Sequence, residues 1–278
     1  MNTTVTLPSF LNPYKFDDLI RVGRDNDGGY VIREIDVIET KNLISFGLCF
    51  DFSFEKNFLN KNKLINIHTF DGSVGFKYYI KKLKYRIKFL LLRPNKKNLI
   101  RVLEVIRLLY DFSLFYKFNL FKNIKHTEKF VSSDISQFRD FKKYYGYKPK
   151  IIQFQDIFTK NLRKVFLSID IEGGEYDLLE EINSYSKNLT GLIIEFHDVD
   201  KNLKRIESFL KKCELLLIHT HINNFGPIKN GIPSVIELSF SRNIENIEFG
   251  LLKLVDKLPI NLDQPNNENC IDYKVIFS

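Results

Sequence analysis

Short apolar runs that stop at a glycine or an acidic residue, each followed by residues at helical spacing, recur along this chain and restrict it to a layered α/β fold. Residues 43–48, LISFGL, lead into FDFSFEKNFL, whose apolar positions recur at helical spacing. LINIHTF ends at Asp71-Gly72-Ser73, and KVFLSIDI ends at Glu172-Gly173-Gly174 ahead of the helical EYDLLEEI. GLIIEFHD, ELLLIHTHI and SVIELSFSR read as further strands, with the amphipathic KNLKRIESFLKKC between the first two. Strands alternating with helices predict a mainly parallel, doubly wound sheet covered on both faces.

Residues 77–130 break this alternation. KYYIKKLKYRIKFLLLRP and NLIRVLEVIRLLYDFSLFYKF carry helical periodicity between the second strand and the next, expected near FVSSDIS. They read as a helical pair inserted at about 77–130 into a single domain of residues 1–278, a length that one α/β core can accommodate. The run KFLLL falls far short of the ~20 apolar residues that a membrane span needs. The positive charge is concentrated between Lys77 and Lys129, where fifteen Lys and Arg face three acids, an excess larger than the whole chain's net +8. A basic amphipathic helix can lie on an anionic membrane surface; a helical cap with its lysines in solvent is the favoured reading. Heavy use of Lys, Asn, Ile and Phe fits an AT-rich bacterial genome, so the charge does not predict a nucleic-acid partner.

Cys49, Cys213 and Cys270 stand far apart in no metal-binding spacing, which argues against a disulfide framework and a structural zinc site. The N-terminus has no secretory pattern. A cytoplasmic setting is expected.

Ligands of open α/β sheets bind beyond the carboxyl ends of the strands. After the first strand, Gly47 lets the backbone come close to a ligand, and the helix starting near Ser53 offers free N–H groups to an anionic group. Ser53 is equally suited to be a plain helix start. After the second strand, Asp71 sits where nucleoside-binding sheets place an acid for ribose hydroxyls, 24 residues after Gly47 and close to the roughly 20 expected. The glycine-rich dinucleotide fingerprint is missing, which leaves adenosine with a short charged tail.

A second group of residues carries reactive chemistry. Asp170 and Glu172 end one strand, Glu195, His197 and Asp198 the next, and His219 and His221 the one after. Strands lie about 4.8 Å apart, so these side chains can converge on one volume. A histidine held by carboxylates can act as a general base, and carboxylates with imidazole can hold a divalent metal, with Asp170, Glu172 and His197 as candidates. His68 and His126 read as structural or solvent-facing.

The ordered series RVGRDNDGGYVI, SFGLCFDFSFEKNF, HTFDGS, LSIDIEGGEYDLLEEI, LIIEFHDVD, HTHINNFG, IPSVIELSFSR and LPINLDQPNN resembles the FkbM-type methyltransferases over nearly the whole chain outside residues 77–130. The resemblance implies a Rossmann-like class I methyltransferase sheet, with one antiparallel strand near its C-terminal end and S-adenosylmethionine lying across the strand ends. It implies that Gly47, Asp51 and Phe54 line the methionine side, that Asp71 holds the ribose, and that Asp25 and Gly29 close over the cofactor. Asp170 and Glu172 would face the transferred methyl, with Glu195, His197, His221 and Asn223 around the acceptor. Leu48 and Cys49 depart from the smaller residues usual after the first strand.

These readings lead to an S-adenosylmethionine-dependent O-methyltransferase acting on a sugar or sugar-nucleotide hydroxyl, in a bacterial capsule or other surface-polysaccharide precursor. The catalytic set is Asp170 with His197 or His221. A metal-dependent hydrolase or lyase built on the same cluster is the alternative.

Overall fold

The computed structural model of the chain describes residues 4–49, 51–116, 123–133, 149–159, 162–242 and 252–278. Seven strands form the central sheet: β1 Asn42–Phe46, β2 Asn66–Phe70, β3 Ile124–Thr127, β4 Val165–Ile169, β5 Leu189–His197, β6 Leu216–Ile222 and β7 Val235–Ser241. Their order is β6-β7-β5-β4-β1-β2-β3, with β7 antiparallel to both neighbours and the pairs from β5 to β3 parallel. Strand order therefore reverses between β1 and β4, the position at which such sheets open a crevice for ligands.

Helices cover both faces, so the inner strands are apolar almost throughout. β4 is buried along its whole length, and β5 is buried from Leu189 to Phe196. Alternation divides the core between the faces: Phe46, Leu167, Ile194 and Leu238 belong to one cluster, and Leu43, Phe166 and Ile193 to the other. The sequence FDFSFEKNFL forms α1, Ser53–Lys61, which lays Phe54 and Phe58 on Phe166 with ring centroids 6.1 and 5.2 Å apart. Complete burial of a side chain such as Phe58 contributes ~1.5–3 kcal/mol, enough to fix the helix start beside the end of β1.

Between β2 and β3 the chain forms two helices, α2 Phe76–Leu92 and α3 Lys96–Tyr116, within the stretch read from the sequence as an insertion. Its C-terminal boundary differs. Ile124–Thr127, assigned from the sequence to the insertion, is the edge strand β3 of the main sheet, while Phe130–Ser132 pairs outside that sheet with Ile151–Gln153. Only Ile124 of β3 is buried and Lys125 is exposed, so this strand lacks the apolar run that marks the others. The rest of FVSSDIS lies outside the described residues.

Two outer pieces close over the carboxyl ends. A hairpin of Leu19–Gly23 and Gly29–Arg33 packs on α1 and β7. Gly23 and Gly28 have φ of +113° and +85°, and a Cβ on Gly28 would strike the Asp51 carboxylate, so glycine is what lets this turn approach α1. The C-terminal segment around LPINLDQPNN ties down the turn: the Asn26 N–H donates to Gln264 Oε1 at 2.7 Å and its amide donates to the Pro265 carbonyl at 2.9 Å.

Candidate active site

The parallel ladders continue one residue past β2, β1 and β4. The Asp71 N–H donates to the Thr127 carbonyl, the Gly47 N–H to Phe70 and the Asp170 N–H to Phe46. Register carries the row onward, since Ile169 pairs with Ile194, Glu195 with Glu237, and Glu237 with His221. Asp71, Gly47, Asp170, Glu195, Glu237 and His221 thus form one line across six strands at the carboxyl end of the sheet. At its centre a Cβ on Gly47 would overlap the Asp170 carbonyl oxygen, and Gly47 has φ of +77°. Only glycine permits that approach.

Above Gly47 lies a cavity of about 410 Å³, lined by Arg24, Asp27, Gly28, Tyr30, Gly47, Leu48, Cys49, Asp51, Phe54, Glu55, Leu108, Ser168 and Asp170. The size falls in the range of small-molecule sites. A larger cavity of about 550 Å³ lies among Arg33, Arg163, Lys164, Lys187 and Arg242. Its lining includes the start of β5, the opposite end of the strands from the carboxylate and imidazole groups, so the smaller cavity is the candidate site. Tyr30 roofs it edge-on over Phe54, with centroids 5.6 Å apart. Its acidic lining is Asp27, Asp51, Glu55 and Asp170, against one basic residue, Arg24, which pairs with Asp51 at 3.0 Å. Such a cavity favours a cation.

At the far wall His197 stands among four carboxylates. Its Nε2 is 3.4 Å from Glu172, 3.7 Å from Glu195 and 3.9 Å from Asp170, and its Nδ1 is 3.3 Å from Glu175. Glu175 is fully buried; it accepts the His197 backbone N–H at 2.7 Å and the Gly173 N–H at 2.8 Å. A carboxylate on Nδ1 directs the proton there and leaves Nε2 facing the cavity wall. Burial acts to lower the His197 pKa, but the Glu175 hydrogen bond and the surrounding carboxylates outweigh it and hold the imidazole above its ordinary value. Burial pushes the Asp170 carboxyl up to about 7, against the pull of His197. Burial next to Asp170 and Glu237 also raises Glu195 well above the carboxylate range. The imidazole and these carboxyls stand close enough that the protonation of each depends on the others, the property a proton-transfer site needs.

The family model described as the methyltransferase FkbM domain matches residues 92–215, which include Asp170, Glu172, Glu175, Glu195 and His197. Residues 92–215 are thus similar to the FkbM methyltransferase domain. The match spans less than half of the chain; it takes in α3 of the inserted pair and omits Gly47 and Asp71. No curated protein matches the sequence. Among solved structures, the chain is similar to a Thermoplasma acidophilum protein assigned as a methyltransferase (TM-score 0.35, 9% identity, 73% of this chain and 68% of that one). It is similar to precorrin-6y C5,15-methyltransferase from Geobacter metallireducens (0.33, 10%, 74% and 84%). A third is the Pyrococcus abyssi tRNA (uracil-54, C5)-methyltransferase in complex with S-adenosyl-L-homocysteine (0.33, 9%, 81% and 44%). At these scores the fold rests on the strand order itself.

Within this chain the expected site residues separate into two groups. Gly47, Asp51, Phe54 and Asp170 line the cavity, and Glu172, Glu195 and His197 meet beside it. Asp25 and Gly29 do not line it. Asp25 is exposed and accepts from the Gln264 amide, and Gly29 is wedged against Arg21 and the Arg24 carbonyl, so the turn presents Asp27 and Gly28 instead. Asp71 is also outside the lining. One of its oxygens accepts the Leu48 and Cys49 N–H groups at 2.8 and 2.9 Å, and the other accepts the Ser73 N–H and hydroxyl at 2.7 Å each. All four lone-pair directions of the carboxylate are used on the loop after β1, which makes Asp71 a positioning residue rather than a free ribose acceptor.

His221 does not join His197. Its Nδ1 is 3.2 Å from Glu237 and its Nε2 2.9 Å from Asp272, so neither nitrogen is free to act as a base. Asn223 donates to Glu195 at 3.0 Å and orients that carboxylate. His219 is bonded to Asp263, His126 to Thr69 and Val74, and His68 to Thr127.

Sequence reasoning passed over Glu55, Glu175, Asp27 and Tyr30. Glu175 was within reach, three residues after Glu172 in the turn that leads into a helix. Glu55 sits 4% exposed in α1, where burial raises its carboxyl to about 7. A folded-state pKa above the ordinary 4.5 gives stability that is complete below about 4.5 and lost as pH climbs through about 7. Glu55→Gln is therefore expected to match the parent at pH 4.5 and to exceed it by about 3 kcal/mol at pH 8, read by urea denaturation at both values. An equal difference at the two values would contradict this.

Proposed function

We propose that this chain is an S-adenosylmethionine-dependent O-methyltransferase acting on a sugar hydroxyl, in a precursor of a bacterial capsule or other surface polysaccharide. The observation that carries the reading is the acidic cavity at the β1/β4 reversal, which runs from Gly47 to Asp170, whose carboxylate lies 3.9 Å from His197 Nε2. The donor set fits the cofactor: a positively charged sulfonium suits a wall of Asp27, Asp51, Glu55 and Asp170, and a flat base suits Tyr30 and Phe54.

When bound, the cofactor supplies a methyl group on a cationic sulfur. The chain aligns the acceptor, excludes water and receives one proton. Tyr30 and Leu108 line the cavity, while Asp170, Glu172 and Glu195 offer carboxylate oxygens to sugar hydroxyls. His197 Nε2 takes the hydroxyl proton, with Glu175 fixing the ring.

Isothermal titration with S-adenosylmethionine is expected to show one-site binding, and incubation with nucleotide-activated sugars to add one methyl group to an acceptor. Absence of binding would sink the proposal in favour of a hydrolase or lyase. A second reading has one specific support: Asp170, Glu172 and His197 each present a ligand atom, all within 4.8 Å of one another. That set suits Mn²⁺. Turnover that disappears on chelation and returns with Mn²⁺ would move His197 from base to ligand; turnover unaffected by chelation keeps it as base.

A further inference from the structure

Most of the large hydrophobic side chains exposed among the described residues lie on the inserted helical pair. On α3 they form a stripe, Leu99, Leu103, Ile106, Tyr110 and Leu114, at the three- and four-residue steps that keep one helix face. Exposure along it runs from 45% at Ile106 to 62% at Tyr110. The opposite face of α3, with Val102, Val105 and Phe112, is the buried one. On α2 the exposed ridge carries lysine, at positions 77, 81, 84 and 88 on one face, with the exposed Tyr85, Leu91 and Leu92 alongside it. Residues 76–107 hold eleven Lys and Arg against one acid, Glu104.

We propose that this helical pair docks the enzyme on an anionic lipid surface, with the α3 stripe entering the headgroup boundary and the α2 lysines on the lipid charges. An apolar ridge beside a basic one is the composition of an interfacial helix. No helix among the described residues is long and apolar enough to cross a membrane, so the contact is peripheral. Pairing with a second copy would bring two such basic helical pairs together, and like charge opposes that where anionic lipid rewards it. Leu108 of α3, on the side of that helix away from the stripe, lines the cavity, so docking through the stripe leaves the site uncovered. The inference does not depend on the methyl-transfer reading.

The sequence contains no Trp, so Ile106→Trp introduces a single fluorophore into the stripe. With phosphatidylcholine vesicles containing about 30 mol% phosphatidylglycerol, its emission is expected to shift to the blue, and about 0.5 M salt should reverse most of the shift. In that background Lys77→Glu, Lys81→Glu, Lys84→Glu and Lys88→Glu together should weaken partitioning on the order of 100-fold, with circular dichroism and S-adenosylmethionine affinity unchanged. If the combined variant fails to fold, the comparison of anionic with pure phosphatidylcholine vesicles decides the matter. No shift with the anionic vesicles, an equal shift with neutral ones, or a lipid-free shift that tracks dimer formation in sedimentation overturns the proposal.

Discussion

Replacing His197 with Gln is expected to lower methyl transfer by about 10²–10⁴-fold, the usual contribution of a positioned base, while S-adenosylmethionine affinity stays close to that of the parent. The effect follows from geometry: Nε2 faces the cavity wall, and Nδ1 is engaged by the buried Glu175. The pH profile supplies an independent check. A base must be neutral to accept a proton, and the His197 pKa is held above 6.5, so kcat/KM should rise with pH through a region above 6.5. Asp170, pushed up to about 7, shares that region, and the observed limb belongs to the pair. Glu175→Gln keeps an acceptor but removes a charge that raises His197, so it should move the limb to lower pH. A Gln variant at 197 retaining a tenth or more of parental turnover would remove His197 from the role of base.

The sheet was legible because its inner strands are buried on both faces and therefore appear as short unbroken apolar runs. The strand ends were legible for the same reason, since Gly47, Asp170 and His197 each stand where such a run stops. What the sequence could not give is the register that aligns them. Asp71, Gly47, Asp170, Glu195, Glu237 and His221 share one row only because of specific backbone pairings across six strands. Partners supplied from far along the chain were equally hidden: Asp272 lies 51 residues after His221, and Asp263 lies 44 after His219. The hairpin turn shows a finer limit. Two adjacent glycines and two nearby aspartates look interchangeable as letters, and it is the turn itself, with positive φ at Asn26 and Gly28 and Asn26 tied to Gln264 and Pro265, that puts Asp27 rather than Asp25 on the cavity.

The two histidines expected around the acceptor should therefore respond to mutation in opposite ways. His221→Ala is expected to cost about 3–5 kcal/mol of stability, the loss typical when one partner of a buried charged group is removed, with turnover per folded molecule within a few fold of the parent. Its side chain is 7% exposed and bridges Glu237 to Asp272, so deletion leaves two buried carboxylates facing an empty position. Burial would lower the His221 pKa, but its two carboxylate hydrogen bonds raise it well above 6.5. The stabilisation is then complete below 6.5 and lost only as pH rises through that elevated value. Urea denaturation should accordingly show a wide gap between parent and variant at pH 6 and a narrower one at pH 10. Asn266 extends the same network, donating to Glu237 at 2.7 Å and to Asp27 at 3.2 Å. Loosening the triad should thus reach the cavity through the Asp27 turn, weakening cofactor binding before the chemical step. A variant that stays fully stable but loses turnover would return His221 to the reaction and undo its assignment as a structural cation.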